Sequence, residues 1–453
     1  MDARSTSHSD VALPGGRLPI LCIVAVVAGV AIGFVGGAFR WCLDIADRWR
    51  IDLLHWAETA PGPAWLVPVA VTTLGATVAA LIVRSVPLAS GSGIQHVEAV
   101  SRGETDAPPL RVLPAKFFGG LAAIGSGMVL GREGPTVHMG AALGAETGRR
   151  AGLPDRDVRL VQSAIAGAGL AVAFNAPLGG ALFTVEEVRK SFDVRTVVPT
   201  LFAVAAAVGC SRLILGNRPD FAVGSVEPPA LTLLPLFVGF GLCTGILGVI
   251  YNRLILKFLD TTAALTLRRI PPVATAAAIG GAVGMLLVID PLAAGGGDAL
   301  SERIVSGGTL PVATAVTLLT LRFVAGPLSY AAGTPGGLFA PLLAVGALWG
   351  ILFATAADTV LPVLDPSTTT AMALAGMSAF FAATVRAPIT GIVLVVEMTA
   401  TATITVPMTV AVAAAVLVAQ LARSEPIYDS LRIRAPFGSS EAPEGRTGGG
   451  ASP

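Results

Sequence analysis

A glutamate lies among glycines in the segment 131–135, which reads Gly-Arg-Glu-Gly-Pro and separates the apolar run 117–130 from a second apolar stretch that opens at Thr136. A charged side chain at the centre of a bilayer costs about 2.5–3.5 kcal/mol on insertion scales, and intramembrane acids therefore usually line polar pathways. We interpret Glu133 as an acid of this kind, kept in a membrane because it takes part in function.

The composition is that of a polytopic membrane protein. Of the 453 residues, 53% are hydrophobic and 13% are charged, and the net charge of +1 argues against nucleic acid as a partner. About 20 apolar residues span the hydrocarbon core of a bilayer as a helix. Runs near that length, with no room for a soluble domain between them, occur at 18–39, 65–83, 197–210, 231–250, 272–289, 336–357 and 403–422.

The sequence predicts neither a metal nor a cofactor. The four cysteines and four histidines are scattered without the spacing of a metal or redox motif, and the pattern HExxH does not occur. An intramembrane enzyme is the remote alternative, and it would need a Ser/His pair, a metal cluster or paired membrane aspartates at workable positions. None is found in the sequence, so we predict that the protein is not an enzyme.

The chain carries an internal duplication. Its 53 glycines and 32 prolines often fall inside the apolar runs, so several helices must be interrupted and restarted. Repeated halves with broken helices are typical of transporters, whose substrates bind where the breaks meet. The repeated positions, at offsets of 211, 204 and 206 residues, are Pro177 with Pro388, 87–93 with 291–297, and Pro135 with Pro341.

This duplication predicts a chain of four parts. A polar tail covers residues 1–17, two transmembrane repeats cover 18–225 and 226–433, and a second tail covers 434–453. The second tail is rich in Gly, Pro and Ser without a core-forming run and is predicted to be disordered. The polar stretch 216–229 is predicted to link the repeats. The residue pattern alone leaves open whether the repeats are parallel or inverted.

Three glycine-rich breaks, at 91–94, 131–135 and 336–341, have the composition of anion-binding helix starts. The first turn of a helix presents N–H groups without intrahelical partners and carries roughly half a positive charge. If the breaks converge, they form a pocket of N–H donors that holds a small anion weakly enough to release it. The alternative is that the glycines serve only close packing between helices.

Four motifs occur in the order typical of the CLC chloride channel and transporter family: Gly-Ser-Gly-Ile at 91–94, Gly-Arg-Glu-Gly-Pro at 131–135, Gly-Leu-Phe-Ala-Pro at 337–341 and a late tyrosine, Tyr428. The resemblance covers roughly residues 18–433 and is strongest to bacterial proton-coupled exchangers. It implies an all-α fold of about 17–18 tilted and broken helices in two inverted repeats. It also implies a homodimer in the bacterial inner membrane, with one pathway in each subunit.

The resemblance assigns the chloride ligands position by position. The Ser92 hydroxyl and the Tyr428 phenol would contact a central chloride. Backbone amides of Leu338, Phe339 and Gly134 would line the outer sites. Ser92 and Tyr428 both favour chloride over nitrate or fluoride as the anion.

Two glutamates are implied to carry the protons. Glu133 matches a gating glutamate, whose carboxylate competes with chloride and moves away once it is protonated. Glu187 matches an internal proton acceptor, a position that is generally glutamate in exchangers and apolar in channels. The resemblance therefore implies a chloride/proton antiporter, with a passive chloride channel on the same fold as the alternative. Without the resemblance, Glu186 and Glu187 would form an ordinary solvated helix end.

Supporting roles fall to four further charged residues: Glu98, Lys116, Arg132 and Glu186. Glu98 and Lys116 match buried positions that support the proton route, and a structural ion pair is the alternative role for them. The sequence departs from the family pattern at Gln95-His96, where Pro-Glu commonly follows Gly-Ser-Gly-Ile. This departure bears on the inner entrance and the anion preference. His138 is predicted to face a neighbouring helix and not to carry protons.

Overall fold

The fold is built from helices. The computed structural model describes residues 17–217, 219–224, 226–308, 310–360 and 365–435, and within them it contains seventeen α-helices and no β-strand. The helices are α1 (Leu18–Thr59), α2 (Leu66–Ser85), α3 (Ile94–Arg102), α4 (Val112–Gly125), α5 (Glu133–Arg150), α6 (Asp155–Phe174), α7 (Pro177–Phe183), α8 (Val194–Leu215), α9 (Leu234–Leu267), α10 (Pro272–Ile289), α11 (Asp298–Val305), α12 (Val312–Ala331), α13 (Phe339–Asp358), α14 (Pro366–Val385), α15 (Pro388–Thr399), α16 (Thr405–Leu421) and α17 (Ile427–Arg434).

The order of elements in the first half recurs in the second, so that α1–α8 correspond to α9–α16. Each half begins with a long helix, of 42 residues in α1 and 34 in α9. Each has a 3₁₀ turn before a short helix, at Pro87–Ala89 and at Pro291–Ala293. The breaks of the two halves pair antiparallel at Gly131 and Gly337. We propose that the boundary between the repeats falls at residues 225 and 226.

Nine helices in the described part of the chain are long and apolar enough to cross a membrane. Six of them overlap predicted apolar runs, and the seventh run, 403–422, forms the 17-residue α16. The sequence patterns missed α6, α12 and α14. α6 and α14 are rich in alanine and glycine and are almost entirely buried inside the protein. A helix covered by protein on all sides needs no strongly apolar residues to remain in the membrane, which is why these two escaped prediction.

Small residues bring the helices behind the breaks into close contact. A Cβ on Gly140 of α5 would overlap the carbonyl oxygen of Ile165 in α6. Between α13 and α14, Gly346 and Gly376 each lie against the carbonyl of the other. In a membrane, such close approach of backbones supplies the van der Waals contact that holds helices together. Close packing through glycine therefore fixes the position of the helices whose N-termini form the breaks.

The predicted tails lie almost wholly outside the described residues, which begin at Arg17 and end at Ala435. The predicted linker, of which residues 218 and 225 are also outside the described ranges, runs from the end of α8 to a 3₁₀ turn at Leu231–Leu233. Within it, the side chain of Asp220 is buried and forms an ion pair with Arg40 of α1 at 2.6 Å. The linker is therefore anchored to the first repeat.

Candidate anion-binding site and proton route

The two breaks that follow α4 and α12 bond directly to each other. The amide of Gly131 donates to the carbonyl oxygen of Gly337 at 2.8 Å, and the amide of Gly337 donates back to Gly131 at 2.7 Å. The amide of Gly336 also donates to the carbonyl oxygen of Gly91 at 3.1 Å. The structure thus brings together all three glycine-rich breaks found in the sequence.

Three helices start at this junction, and their first turns are free of side-chain caps. The residues before α3, α5 and α13 are Gly93, Arg132 and Leu338, and none of them caps its helix through its side chain. Gly91 and Gly93 have φ of +57° and +88°, which residues other than glycine rarely adopt. Amides at the starts of helices carry partial positive charge, so their convergence suits a small anion.

Two hydroxyl groups lie at the same place. Ser92 and Tyr428 are fully buried and face each other. Neither hydroxyl forms a hydrogen bond of normal geometry with any described residue. The Tyr428 ring stacks against Phe339, with 6.0 Å between the ring centroids and 29° between the ring planes. Buried hydroxyls are almost always bonded, so two buried hydroxyls that face each other without a well-formed hydrogen bond suit the donors that a bound anion requires.

The Glu133 side chain occupies the space between the breaks. Its carboxylate is fully buried, and a Cβ on Gly131 would overlap it. The amides of Glu133 and Ala340 approach the carboxylate, but it accepts no hydrogen bond of normal geometry from the described residues. The acid therefore stands among the helix starts that would attract an anion.

A buried cation holds the loop that carries Ser92. The Lys116 ammonium donates to the carbonyl oxygens of Gly91 at 2.6 Å and Ser92 at 3.1 Å, and more weakly to that of Ser90 at 3.4 Å. In a trans peptide the C=O and N–H groups point in opposite directions. Carbonyls turned towards Lys116 therefore turn the adjoining amides away from it. Backbone, and not the Glu98 carboxylate considered in the sequence, binds this ammonium.

The second repeat contains the counterpart of Lys116. Arg322 of α12 is buried and donates to the carbonyl oxygens of Leu292, Ala294 and Gly295 at 2.7, 2.6 and 3.2 Å. It lies 206 residues after Lys116, the offset that relates Pro135 to Pro341. Sequence reasoning missed Arg322, although extending the duplication by one more position would have found it.

Glu187 lies in an irregular turn. Residues Thr184–Val188 form a π-helical turn after α7, closed by the amide of Arg189 on the carbonyl oxygen of Thr184 at 2.9 Å. Such turns often occur at functional sites. Glu187 is buried, with its carboxyl group beside that of Glu98. Because two adjacent negative charges repel, the pair favours holding a proton between them.

A cleft of about 480 Å³ opens beside these acids, with Glu186, Glu187, Lys190 and Arg386 in its lining. Glu187 is therefore buried within the fold and also borders a space that solvent can enter. A residue that collects protons for a buried site needs this combination.

Glu186 plays a different part from its neighbour. Its carboxylate accepts two backbone amides from the first turn of α15, at 3.0 and 2.7 Å. Its counterpart Glu397, 211 residues later, accepts two amides from the first turn of α7, also at 3.0 and 2.7 Å. Each repeat thus caps a helix of the other. Because Glu187 is buried and Glu186 is bonded to α15, the two acids do not form an ordinary solvated helix end.

Arg132 connects the site to a group of acids that sequence reasoning missed. Its Nε donates to the carbonyl oxygen of Ala173 at 3.2 Å. Its terminal nitrogens lie 3.6 Å from each of three carboxylates, those of Asp44, Asp220 and Asp298. The acids come from α1, the linker and α11, so nothing in the local sequence signals their meeting.

A buried histidine pair was also missed. His96 Nδ1 and His138 Nε2 are 3.1 Å apart, and the His138 ring lies against Gly93. His138 therefore faces α3, beneath the loop that carries Ser92. Within the described ranges, no group of three or more His, Cys, Asp or Glu residues is placed to hold a metal ion.

Comparison with known proteins identifies the family. A family model described as voltage gated chloride channel matches residues 74–420. The H(+)/Cl(-) exchange transporter ClcA of Vibrio parahaemolyticus is 40% identical over 421 residues, which cover 91% of this chain and 89% of that protein. This chain belongs to the voltage-gated chloride channel (CLC) family. The similar protein from Cronobacter sakazakii, also named H(+)/Cl(-) exchange transporter ClcA, is 37% identical over 424 residues.

Solved structures confirm the CLC fold predicted from the motifs. A slow cyanobacterial Cl⁻/H⁺ antiporter superimposes with a TM-score of 0.84 at 30% identity, over 91% of this chain and 97% of that one. A CLC-type fluoride/proton antiporter has a TM-score of 0.73 at 20% identity, which shows likeness of fold alone. The curated relatives are transporters, in agreement with the prediction against an enzyme.

Replacing Lys116 with Met tests its hold on the Ser92 loop. Hydrogen bonds to a charged group each contribute about 1.5–3 kcal/mol, so we expect a loss of stability of at least that size. Chloride affinity should fall with it, because the freed carbonyls can turn towards the anion. Thermal unfolding and calorimetric chloride titration in detergent measure the two effects. Lys257→Met, at an exposed position on α9, is the control, and wild-type chloride affinity in K116M would contradict this role.

Proposed function

We propose that this chain is a secondary-active chloride/proton antiporter of the bacterial inner membrane, working as a homodimer with one pathway in each subunit. The observation that carries the proposal is the burial of Glu133 among the starts of α3, α5 and α13. A carboxylate and a chloride ion need the same donors, so at this place they compete. The ClcA relatives, named as exchange transporters, support the proposal.

Chloride is held in this scheme by hydroxyl and amide donors. Ser92 and Tyr428 direct their O–H groups to the central position. The amides of Leu338, Phe339 and Gly134 line the outer part of the pathway. Binding without a lysine or arginine in direct contact keeps the anion attracted but releasable, as conduction requires.

Protonation of Glu133 controls whether chloride can reach the same donors. When ionised, its side chain is a tethered anion that blocks chloride. When protonated, it loses the charge that holds it there and can leave the site to chloride. Exchange follows because the two ligands cannot occupy one site together.

Glu187 supplies the inner end of the proton route. It borders the cleft next to Lys190 and Arg386, and its carboxyl group adjoins that of Glu98. A proton taken up from the cleft by this pair is passed on towards Glu133. A passive channel on the same fold would not need a buried acid at this position, so Glu187 supports the antiporter over the channel.

Coupled flux is the direct test of the proposal. Purified protein in proteoliposomes should move protons uphill when a chloride gradient is imposed, which a pH electrode or an enclosed dye records. An inverse experiment, with a proton gradient driving chloride uptake, should succeed equally. Chloride flow that carries no protons in either experiment would show the passive channel instead.

Replacing Glu187 with Gln should stop proton transport while chloride still moves. The amide keeps the shape of the side chain but neither takes up nor releases a proton. Parallel recordings of proton and chloride flux give the ratio directly. Glu302→Gln, at an exposed acid on α11, should keep the wild-type ratio. Equal loss of both fluxes in E187Q would count against the assignment.

Replacing Glu133 with Ala should leave chloride transport that is uncoupled from protons and independent of pH. The substitution removes both the tethered anion and its protonation. Chloride efflux measured at several values between about pH 4.5 and 7.5 gives the pH dependence of each protein. Glu146→Ala, on the surface of the same helix α5, is the matched control. If E133A still couples proton transport to chloride transport, the gating role of Glu133 is wrong.

A further inference from the structure

α17, the helix that carries Tyr428, is held by ion pairs in its first turn. α17 has eight residues, too few to span a membrane, and Asp429 directly follows the tyrosine. The Asp429 carboxylate lies 2.6 Å from the Lys190 ammonium and 3.0 Å from the Arg102 guanidinium. Its side chain is 15% exposed, so these contacts are largely shielded from solvent.

These partners come from the elements that carry the proton-route acids. Lys190 lies three residues after Glu187, just beyond the π-helical turn, and Arg102 ends α3, the helix of Glu98. Lys190 and Asp429 both act electrostatically on Glu98 and on Glu187. We call Asp429, Lys190 and Arg102 the Asp429 group. This group links the buried acids Glu98 and Glu187 to Tyr428.

The backbone at Lys190 is held in an unusual conformation. Its φ is +50°, in the left-handed region that residues other than glycine rarely adopt. Such a conformation persists where the surroundings over-determine it. The amide of Ser191 bonds back to the carbonyl oxygen of Val185 at 3.1 Å, and the side chain of Lys190 reaches Asp429. The turn thus aims the ammonium at α17.

We propose that Asp429 is a positioning residue that couples the proton state of Glu187 to the placement of Tyr428, an inference that rests on the proposed antiport. When Glu187 is ionised, its charge competes with Asp429 for Lys190. When Glu187 is protonated, this competition ends and Lys190 pairs more strongly with Asp429. Because Tyr428 and Asp429 are adjacent in the first turn of α17, the strength of that pair bears on the position of the phenol at the chloride site.

Other charges around Asp429 keep it ionised while this happens. Burial alone would raise the pKa of Asp429, but its hydrogen bonds to Lys190 and Arg432 outweigh burial and hold that pKa below its usual range. At neutral pH, the group that changes its charge is therefore Glu187 and not Asp429. Several charged groups face Asp429. They are Glu98 and Arg102 from α3, Glu104 from the segment just after α3, Glu187 and Lys190 from the π-helical turn and the residues after it, and Arg432 from α17.

The inference is tested with Asp429→Asn, Lys190→Gln and the double variant in proteoliposomes. Each single variant should lower the protons moved per chloride by about 1.5- to 5-fold, the range expected from losing one partly exposed ion pair. The double variant should be no worse than either single one, because both remove the same interaction. Asp429→Glu should restore the ratio, since it keeps the charge.

A second ion pair on the same helix supplies the matched control. Arg434 of α17 pairs with Asp260 of α9, away from Lys190. If Asp429 merely anchors α17, Asp260→Asn should change the flux ratio as Asp429→Asn does, and the inference is overturned. An unchanged ratio in D429N and K190Q overturns it too. If the wild-type protein moves no protons, the proposed antiport itself is wrong. The two failures can therefore be told apart.

Discussion

The reciprocal hydrogen bonds between Gly131 and Gly337 are the constraint on which the rest of the site depends. Two peptide groups, one from each repeat, satisfy each other at the middle of the protein. Buried backbone groups must find partners, and inside a membrane water is not available to supply them. Because these breaks bond to each other, the helices that follow can point their first turns at one place and still leave amides for a ligand.

Charges around this junction are divided between holding the backbone and meeting the ions. Lys116 and Arg322 bind carbonyl oxygens, Glu186 and Glu397 bind amides, and these four groups are paired by the duplication. They set the directions of peptide groups without contacting an anion themselves. Glu133 is left as the acid that lies among the helix starts of the site.

The sequence predicted the parts of this site that short motifs encode. Glu133, Ser92 and the three breaks are recognisable because glycine, proline and a buried acid occur at fixed local spacing. Contacts between distant segments could not be predicted in this way. The meeting of Asp44, Asp220 and Asp298 at Arg132, and of His96 with His138, depends on how whole helices pack. Among the helices, α6 and α14 were missed because protein surrounds them and their residues are small, not strongly apolar.

The π-helical turn at Thr184–Val188 breaks the equivalence of the two repeats. Its counterpart in α15 continues as a regular α-helix, and the position related to Glu187 by the offset of 211 is Met398. Two inverted halves with identical residues would bind a proton equally well. The two halves therefore differ in how they meet a proton, because one presents a buried acid where the other presents a buried thioether.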